Sequence, residues 1–444
     1  MIRQRRPLAP CFAFALLFSG CVQYQAQPLD APGSLQTLNQ QRLDPSSPHW
    51  PETLGPDSGL DLDDGLSLPE AQAVAVSLHP ALQAERAKLA VSEALLVEAG
   101  LLPDPEVGWG AMDWIIGGTR DDAIVGLEAL FRLQAPGSRQ ARIDLATAEW
   151  QQSRWALLEM EWHHAGKTRQ CFVRLLGLRG VWQSLQSQQA MVEATRQGLK
   201  DAFELGEATA LQSHLADLDL RRLEVLQLSW EARLNQEIQQ LNQLLGLPPG
   251  SEVLLQPMET ATKEQAWLEE SAEALTEEAL NRRPDLQALA AAYDAAEAKL
   301  RLAIARQWPD LSIGTGLYLN LPLFSKANRA AIETALAQRQ QLARQWQAAI
   351  HQVRAEIHQA HQQWQLARRR TESMTDGFRE QQQACLQSLQ QSQALGESTP
   401  LEQLTVQSRL LELQESLWQL QLQLETARTQ LIHLAALDLP SSSS

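Results

Sequence analysis

Between Val406 and Leu434 apolar residues recur at alternating steps of four and three, through Leu410, Leu413, Leu417, Leu420, Leu424, Ala427 and Leu431. This sustained heptad predicts a long helix with one seam packed knobs-into-holes against a neighbour. A weaker seam runs through Leu220, Leu223, Trp230, Leu234, Leu241 and Leu244, interrupted by Gln227 and Glu237. Elsewhere the period is two: Ala123, Val125, Leu127, Ala129, Phe131 and Leu133 alternate with a set that includes Glu128 and Arg132. An apolar face opposite a charged one is the pattern of a membrane-barrel strand, and also of a half-buried hairpin in a soluble sheet. Glu106 to Trp114 is its predicted partner across a loop at 115–122. Both strands reach the roughly 9–11 residues that a bilayer crossing needs.

The pattern occurs twice. Leu78-His79-Pro80-Ala81-Leu82-Gln83-Ala84 resembles Asn281-Arg282-Arg283-Pro284-Asp285-Leu286-Gln287-Ala288, and the helices they open end at Pro103-Asp104 and Pro309-Asp310. Further on, Arg139–Leu247 lies over Arg329–Leu437 without a gap, at a constant offset of 190, and Gly206-Glu207-Ala208-Thr209 meets Gly396-Glu397-Ser398-Thr399. Such self-similarity is the signature of an internal duplication. Each copy reads as helix, β segment, long helix, tight turn, helix. The helices are expected near 69–100, 138–204 and 208–246, then 272–307, 327–394 and 400–437. In each copy the two shorter helices together match the long one, which suits staves of equal height in a cylinder wall. A fibrous two-stranded coiled coil is the alternative, and the β segments count against it.

Charge and the N-terminus change the class of protein. Of 444 residues, 37 are Lys or Arg and 53 Asp or Glu, giving a net charge of −16. That balance argues against nucleic acid as a partner. No apolar run reaches the ~20 residues of a membrane-spanning helix. Arg3, Arg5 and Arg6, the apolar stretch Leu8–Phe18, and Ser19-Gly20-Cys21 read as a signal peptide over 1–20, with Cys21 the lipidated first residue of the mature chain. An ordinary signal peptide cut nearby is the alternative. One lipid moves the protein from soluble to membrane-anchored. Residues 21–65, rich in Pro, Gly, Ser and Asp, are expected to be an extended tether, 248–271 a linker between the copies, and 439–444 a tail.

No Ser/His/Asp, HExxH, P-loop or dinucleotide pattern stands in a suitable context, so neither catalysis nor a cofactor is expected. His351, His358 and His361 share a helical stripe, but no Cys or carboxylate beside them completes a metal set, and a solvated polar face is the better reading. The Gln-rich run 381–393 reads as a wall facing water. Cys171 lies much further before its turn glycine, Gly206, than Cys385 does before Gly396. Side-by-side hairpins would hold the two ~36 Å apart in height, so two unpaired thiols are expected.

The lipoprotein signal, the duplicated helix–β–helix–turn–helix unit, Pro80 and Pro284, the Gly-Glu turns and Leu321-Pro322-Leu323-Phe324 together resemble the TolC-like outer-membrane efflux family over residues 66–438. Pro103-Asp104-Pro105-Glu106 and Pro322 to Arg329 lean toward its heavy-metal branch. The resemblance implies a mainly α homotrimer whose helices form a periplasmic α-barrel and whose β hairpins form one barrel in the outer-membrane lipid. It implies a periplasmic adaptor and an inner-membrane pump as partners, and passive conduction as the activity. A non-conducting periplasmic lipoprotein scaffold is the alternative. The adaptor-docking tips would be Leu205, Gly206, Glu207 and Leu211 in one copy and Leu395, Gly396, Glu397 and Leu401 in the other. Glu397 and Glu402 are candidate pore-mouth acids, with ordinary turn carboxylates the plainer reading. One departure stands out: the second copy has only the stretch Asp310–Phe324 from which to build a hairpin. A U-turn near Gly314-Thr315-Gly316, too short to span a bilayer, is expected there, leaving an incomplete or absent membrane barrel.

Overall fold

A computed structural model describes residues 24–43, 64–104, 106–112, 124–133, 137–257, 267–308, 310–313, 317–320, 325–394 and 400–438. Cys21, the loop 115–122, Gly314-Thr315-Gly316, Leu395, Gly396, Glu397 and the tail lie outside them. The chain divides into a unit ending at Arg42 and one beginning at Leu43. The first contains helix α1 (Ala31–Gln40), with a proline in its first turn and no buried residue. The expected tether is therefore interrupted by three turns of helix, which proline at the start of a helix favours.

The second unit holds the duplication. Its first copy comprises α2 (Leu68–Leu78), α3 (Pro80–Gly100), β1 (Glu106–Met112), β2 (Ile124–Leu133), α4 (Ser138–Glu204) and α5 (Ala210–Leu245). The second comprises α6 (Ala272–Arg282), α7 (Pro284–Ala305), β3 (Asp310–Ile313), β4 (Leu317–Asn320), α8 (Ser325–Thr375), α9 (Phe378–Ala394) and α10 (Pro400–Leu434). The offset of 190 governs the boundaries: α4 ends at Glu204 and α9 at Ala394, and α5 opens at Ala210 and α10 at Pro400. Even the closing turns agree. Leu247 N–H donates to Asn242 O at 2.8 Å, and Leu437 N–H to Ile432 O at 3.0 Å. These are the long bonds of a Schellman ending, whose left-handed residue is Gly246 (φ 71°) in one copy and Ala436 (φ 54°) in the other.

Three expected helices are broken. Residues 69–100 form α2 and α3, parted at His79, and 272–307 form α6 and α7, parted at Arg283. The physical reason is the following proline, which disfavours helical backbone at the residue before it. His79 and Arg283 accordingly adopt extended angles, with ψ 124° and 122°. Each proline then starts the next helix, where it needs no N–H partner. The second copy's long helix breaks at Asp376-Gly377, with Gly377 at φ 69°, whereas α4 runs unbroken for 67 residues, ~100 Å.

Matching apolar clusters gather near the helix ends of each copy. In the first, Leu66, Val74, Phe172, Leu175, Leu241 and Leu245 pack together around Cys171. In the second, Leu275, Leu286, Val353, Ile357, Leu431 and Ile432 do the same, with Leu431 at the position equivalent to Leu241. A third cluster joins the copies: Leu185, Leu223 and Trp230 pack against Leu411, Trp418 and Leu422 of α10. Burying Trp230 alone contributes about 2–3 kcal/mol. The linker after α5 returns to the start of α2, where Leu66 and Leu255 form a parallel bridge.

Cys171 and Cys385 are both free. Cys171 is buried, and its thiol is pushed up to about 12 by that burial, with Glu237 adding to the effect.

The sheet order is β1-β2-β3-β4, antiparallel throughout. β1 pairs with Ile124–Leu130 of β2, from Glu106↔Leu130 to Met112↔Ile124. β3 pairs with the other edge of β2, and only with its last three residues, Phe131, Arg132 and Leu133. The second hairpin is thus the expected U-turn, with strands of four residues each, ~13 Å long. A hydrocarbon core is ~30 Å thick, so this hairpin cannot cross one.

Candidate functional site

Three places carry the candidate chemistry: the α4–α5 tip, the β hairpins, and a charged junction where the two copies meet. At the tip, Asp201 O accepts from Leu205 N–H at 3.1 Å, and Phe203 O from Gly206 N–H at 3.0 Å. Gly206 then turns the chain through the left-handed region at φ 79°, which a glycine adopts without steric penalty. Thr209 opens α5 with a capping box: its N–H donates to Gln212 Oε1 at 2.7 Å, while its Oγ1 accepts from Gln212 N–H at 3.4 Å. This leaves Leu205 75% and Leu211 65% exposed, with Phe203 exposed behind them and Glu207 at the surface. The leucines therefore do not close the hairpin; they stand out from it.

Of the second tip, the described residues include the start of α10, with Leu401 in its first turn and Glu402 exposed. Glu402 stands at the position equivalent to Gln212, the helix-capping residue of the first copy. Behind this tip, Phe378, Cys385, Val406, Leu410 and Leu413 line an apolar groove of about 280 Å³ between α9 and α10. At the hairpins, Arg132 Nη2 pairs with Glu106 at 2.7 Å, both exposed, tying the base of β2 to the start of β1.

The charged junction has no local motif. Arg283, 4% exposed, donates twice to Asp285 (3.0 and 2.7 Å), once to Glu356 (3.2 Å), and once to the α10 carbonyl Leu434 O (3.3 Å). Its guanidinium also lies 5.3 Å from the ring centre of Trp162 on α4. The Trp162 ring stacks 4.3 Å from His433, whose Nδ1 is 3.2 Å from Asp438. A buried charge must be paired and hydrogen-bonded to persist, and here it also neutralises a helix C-terminus. Burial disfavours the Arg283 charge, but Asp285 and Glu356 outweigh it and raise its pKa. Nearby Glu159 is raised by burial and by Asp285, with Arg283 opposing. Burial lowers His163, and His433 adds to that shift.

The first copy solves the same problem differently. His79 takes the place of Arg283 and stacks 4.1 Å from His164, whose Nε2 lies 2.8 Å from Leu244 O. Leu244 and Leu434 are themselves equivalent positions of the two copies. Burial lowers both imidazoles. The sequence signal was therefore present in the paired X-Pro motifs, but not the role of the residue before each proline.

The three histidines of α8 have separate neighbours. His358 lies 3.7 Å from Glu273, His361 packs against Trp364, and His351 is exposed. Among the described residues no three His, Cys, Asp or Glu side chains gather around one point.

No protein-family model matches the sequence, and no curated protein is significantly similar to it. Solved structures are similar in fold. The outer-membrane channel OprN superposes with a TM-score of 0.68 at 16% identity, over 83% of this chain and 89% of that one. The outer membrane protein VceC of Vibrio cholerae gives 0.66 at 17% identity, over 83% and 95%. CusC, studied for transmembrane channel formation, gives 0.65 at 16% identity, over 89% and 98%. The duplicated helical unit with its paired β hairpins is thus the fold of the TolC-like outer-membrane channels.

Proposed function

We propose that this chain is a TolC-like outer-membrane efflux component, anchored by a lipid on Cys21 and assembled as a homotrimer. Its helices would form a periplasmic tunnel, and its first hairpin would enter the outer membrane. The α4–α5 tip, with Leu205, Gly206, Glu207 and Leu211, and its counterpart, with Leu395, Gly396, Glu397 and Leu401, would dock a periplasmic adaptor. That adaptor would connect the duct to an inner-membrane pump. The chain acts by passive conduction and not by catalysis, with Glu397 and Glu402 near the mouth. The observation that carries this reading is the register of the two copies, whose constant offset holds from helix ends to capping turns. Three such chains supply twelve lateral helical staves at each level of the wall.

A second reading, a non-conducting periplasmic scaffold with the same helical body, is favoured by the four-residue strands β3 and β4. A deletion strain, challenged with metals and with hydrophobic drugs and then complemented, separates the two. Sensitivity to either class, reversed by the gene, supports the duct; no phenotype of either kind supports the scaffold.

A further inference from the structure

Arg222 of α5 donates to Glu412 of α10 at 2.9 Å, and the 190 positions between them are the offset of the duplication itself. The pair therefore joins equivalent places in the two copies. About one turn nearer the tip, Asp219 and Arg409 are also equivalent to each other, and again opposite in sign. Copy one thus reads minus then plus at these two places, and copy two plus then minus. Glu412 also accepts from Arg409 at 2.9 Å. Beside the charges runs the cluster that joins the copies, in which Leu411 and Trp418 pack onto the buried Leu185, Leu223 and Trp230.

The same offset carries this joint one step onward. Leu413 is the equivalent of Leu223, and Leu228 of Trp418. Within one chain, however, Leu413 is 42% and Leu228 65% exposed. Leu218 and Val225, on the same side of α5 as Leu228, are exposed as well. Arg409 and Leu413 border the apolar groove between α9 and α10. In this way α5 offers an apolar stripe beside Asp219 and Arg222, while α10 offers an apolar seat beside charges in the reverse order.

We propose that α10 receives α5 of a neighbouring copy through a repeat of the joint found within the chain, with the neighbour's Leu228 seated on Leu413, and that the reversed charges decide which partner is admitted. The proposal rests on the trimeric reading above. At each contact between chains Glu412 then faces Arg222 of the neighbour, and Arg409 faces its Asp219. Around three chains each of the two places becomes a ring in which the sign alternates at every step, and the two rings carry opposite phases. A contact between two first copies, or between two second copies, would set like charges against each other at both places. Like-charge juxtaposition rejects wrong partners more strongly than one matched pair attracts the right one. A single exposed ion pair contributes little, so the work falls to the closed network.

The test uses the full-length protein purified from membranes, co-expressed in two differently tagged forms. One form is wild type, and the other carries Asp219→Arg, Arg222→Glu, Arg409→Asp and Glu412→Arg together. The swapped form keeps opposite signs within its own chain and between its own copies, so it should trimerise alone. Where the two forms meet, cation faces cation at one place and anion faces anion at the other. Mixed trimers should therefore be at least about fivefold rarer than between two tagged wild-type chains. A neutral form, with Asp219→Asn, Arg222→Gln, Arg409→Gln and Glu412→Gln, should mix with either. Independently of charge, Leu228→Cys on one tagged chain and Leu413→Cys on the other should give a disulfide joining the tags. Free mixing of the swapped form with wild type, or its failure to trimerise alone, overturns the charge selection. Sorting by the neutral form overturns it as well. Absence of the disulfide overturns the seat on Leu413, while a wild-type trimer leaves the duct standing. A wild-type particle that is not a trimer defeats the duct reading and this joint together.

Discussion

Gly246 and Ala436, at equivalent positions of the two copies, end their helices in the same left-handed turn, yet only one of them is a glycine. A Cβ on Gly246 would meet Leu78 O at 3.1 Å, whereas Ala436 already holds a fully buried methyl. Left-handed backbone costs a non-glycine residue about 1–2 kcal/mol. Gly246→Ala should therefore lose about 2 kcal/mol or more. In Ala436→Gly the relieved backbone is offset by a lost methyl worth about 0.8 kcal/mol, so stability should change by less than about 1 kcal/mol. Urea unfolding of the two variants checks the asymmetry.

Arg283 is the charge on which the junction of the two copies depends. Arg283→Ala takes from both Asp285 and Glu356 the guanidinium they pair with, and it removes the donor to Leu434 O. Breaking a buried pair from one side typically costs about 3–5 kcal/mol. Adding Glu356→Gln should recover part of that loss, whereas a purely steric role for Arg283 would make the two changes additive. A double-mutant cycle in denaturant measures the difference.

Acidification should destabilise the folded chain at both histidine sites, the His79–His164 pair of the first copy and His163 at the junction. His79, His163 and His164 all have pKa values lowered from 6.5, chiefly by burial. The unfolded chain therefore takes up protons first, and stability falls as pH drops through 6.5, levelling off only below the lowered folded values. Glu159 works the other way, because its raised pKa makes the folded chain the better proton acceptor above 4.5. Three imidazoles oppose one carboxyl, so the melting temperature should fall between pH about 7.5 and about 5.5. A flat or rising profile over that window would contradict the assignment.

The tip leucines should matter for partners and not for folding. Leu205 and Leu211 are exposed, so Leu205→Ser with Leu211→Ser should change stability by less than about 0.5 kcal/mol. Co-purification of the periplasmic adaptor from crosslinked cells should nevertheless drop about tenfold, as expected when apolar anchors leave an interface. Unchanged adaptor recovery would remove the docking role from this tip.

Much of the fold was legible because the duplication repeats its breakers. Pro80 and Pro284, Gly206 and the constant offset between the copies placed α4 at Ser138–Glu204 and the shortened hairpin within Asp310–Phe324, where the strands run from Asp310 to Asn320. The splits at His79 and Arg283 follow from the same prolines, but the apolar pattern continues across them and favours one long helix. The junction was not legible. Trp162, Arg283, Glu356, His433 and Asp438 are scattered over more than half of the chain, and only the packing of α4, α7, α8 and α10 unites them. Gly166 leaves the same trace: in sequence it is a weak point of a helix, while in the fold a Cβ there would overlap the His433 ring.

The most direct measurement of the central claim is the mass and symmetry of the full-length protein extracted from the outer-membrane fraction, by native mass spectrometry and single-particle imaging. The account predicts three copies around a threefold axis, with α4 and α8–α9 as long staves of one tunnel and α2–α3 with α5, and α6–α7 with α10, as the end-to-end staves beside them. A monomer, a dimeric coiled coil, or recovery only from the soluble periplasm would contradict it.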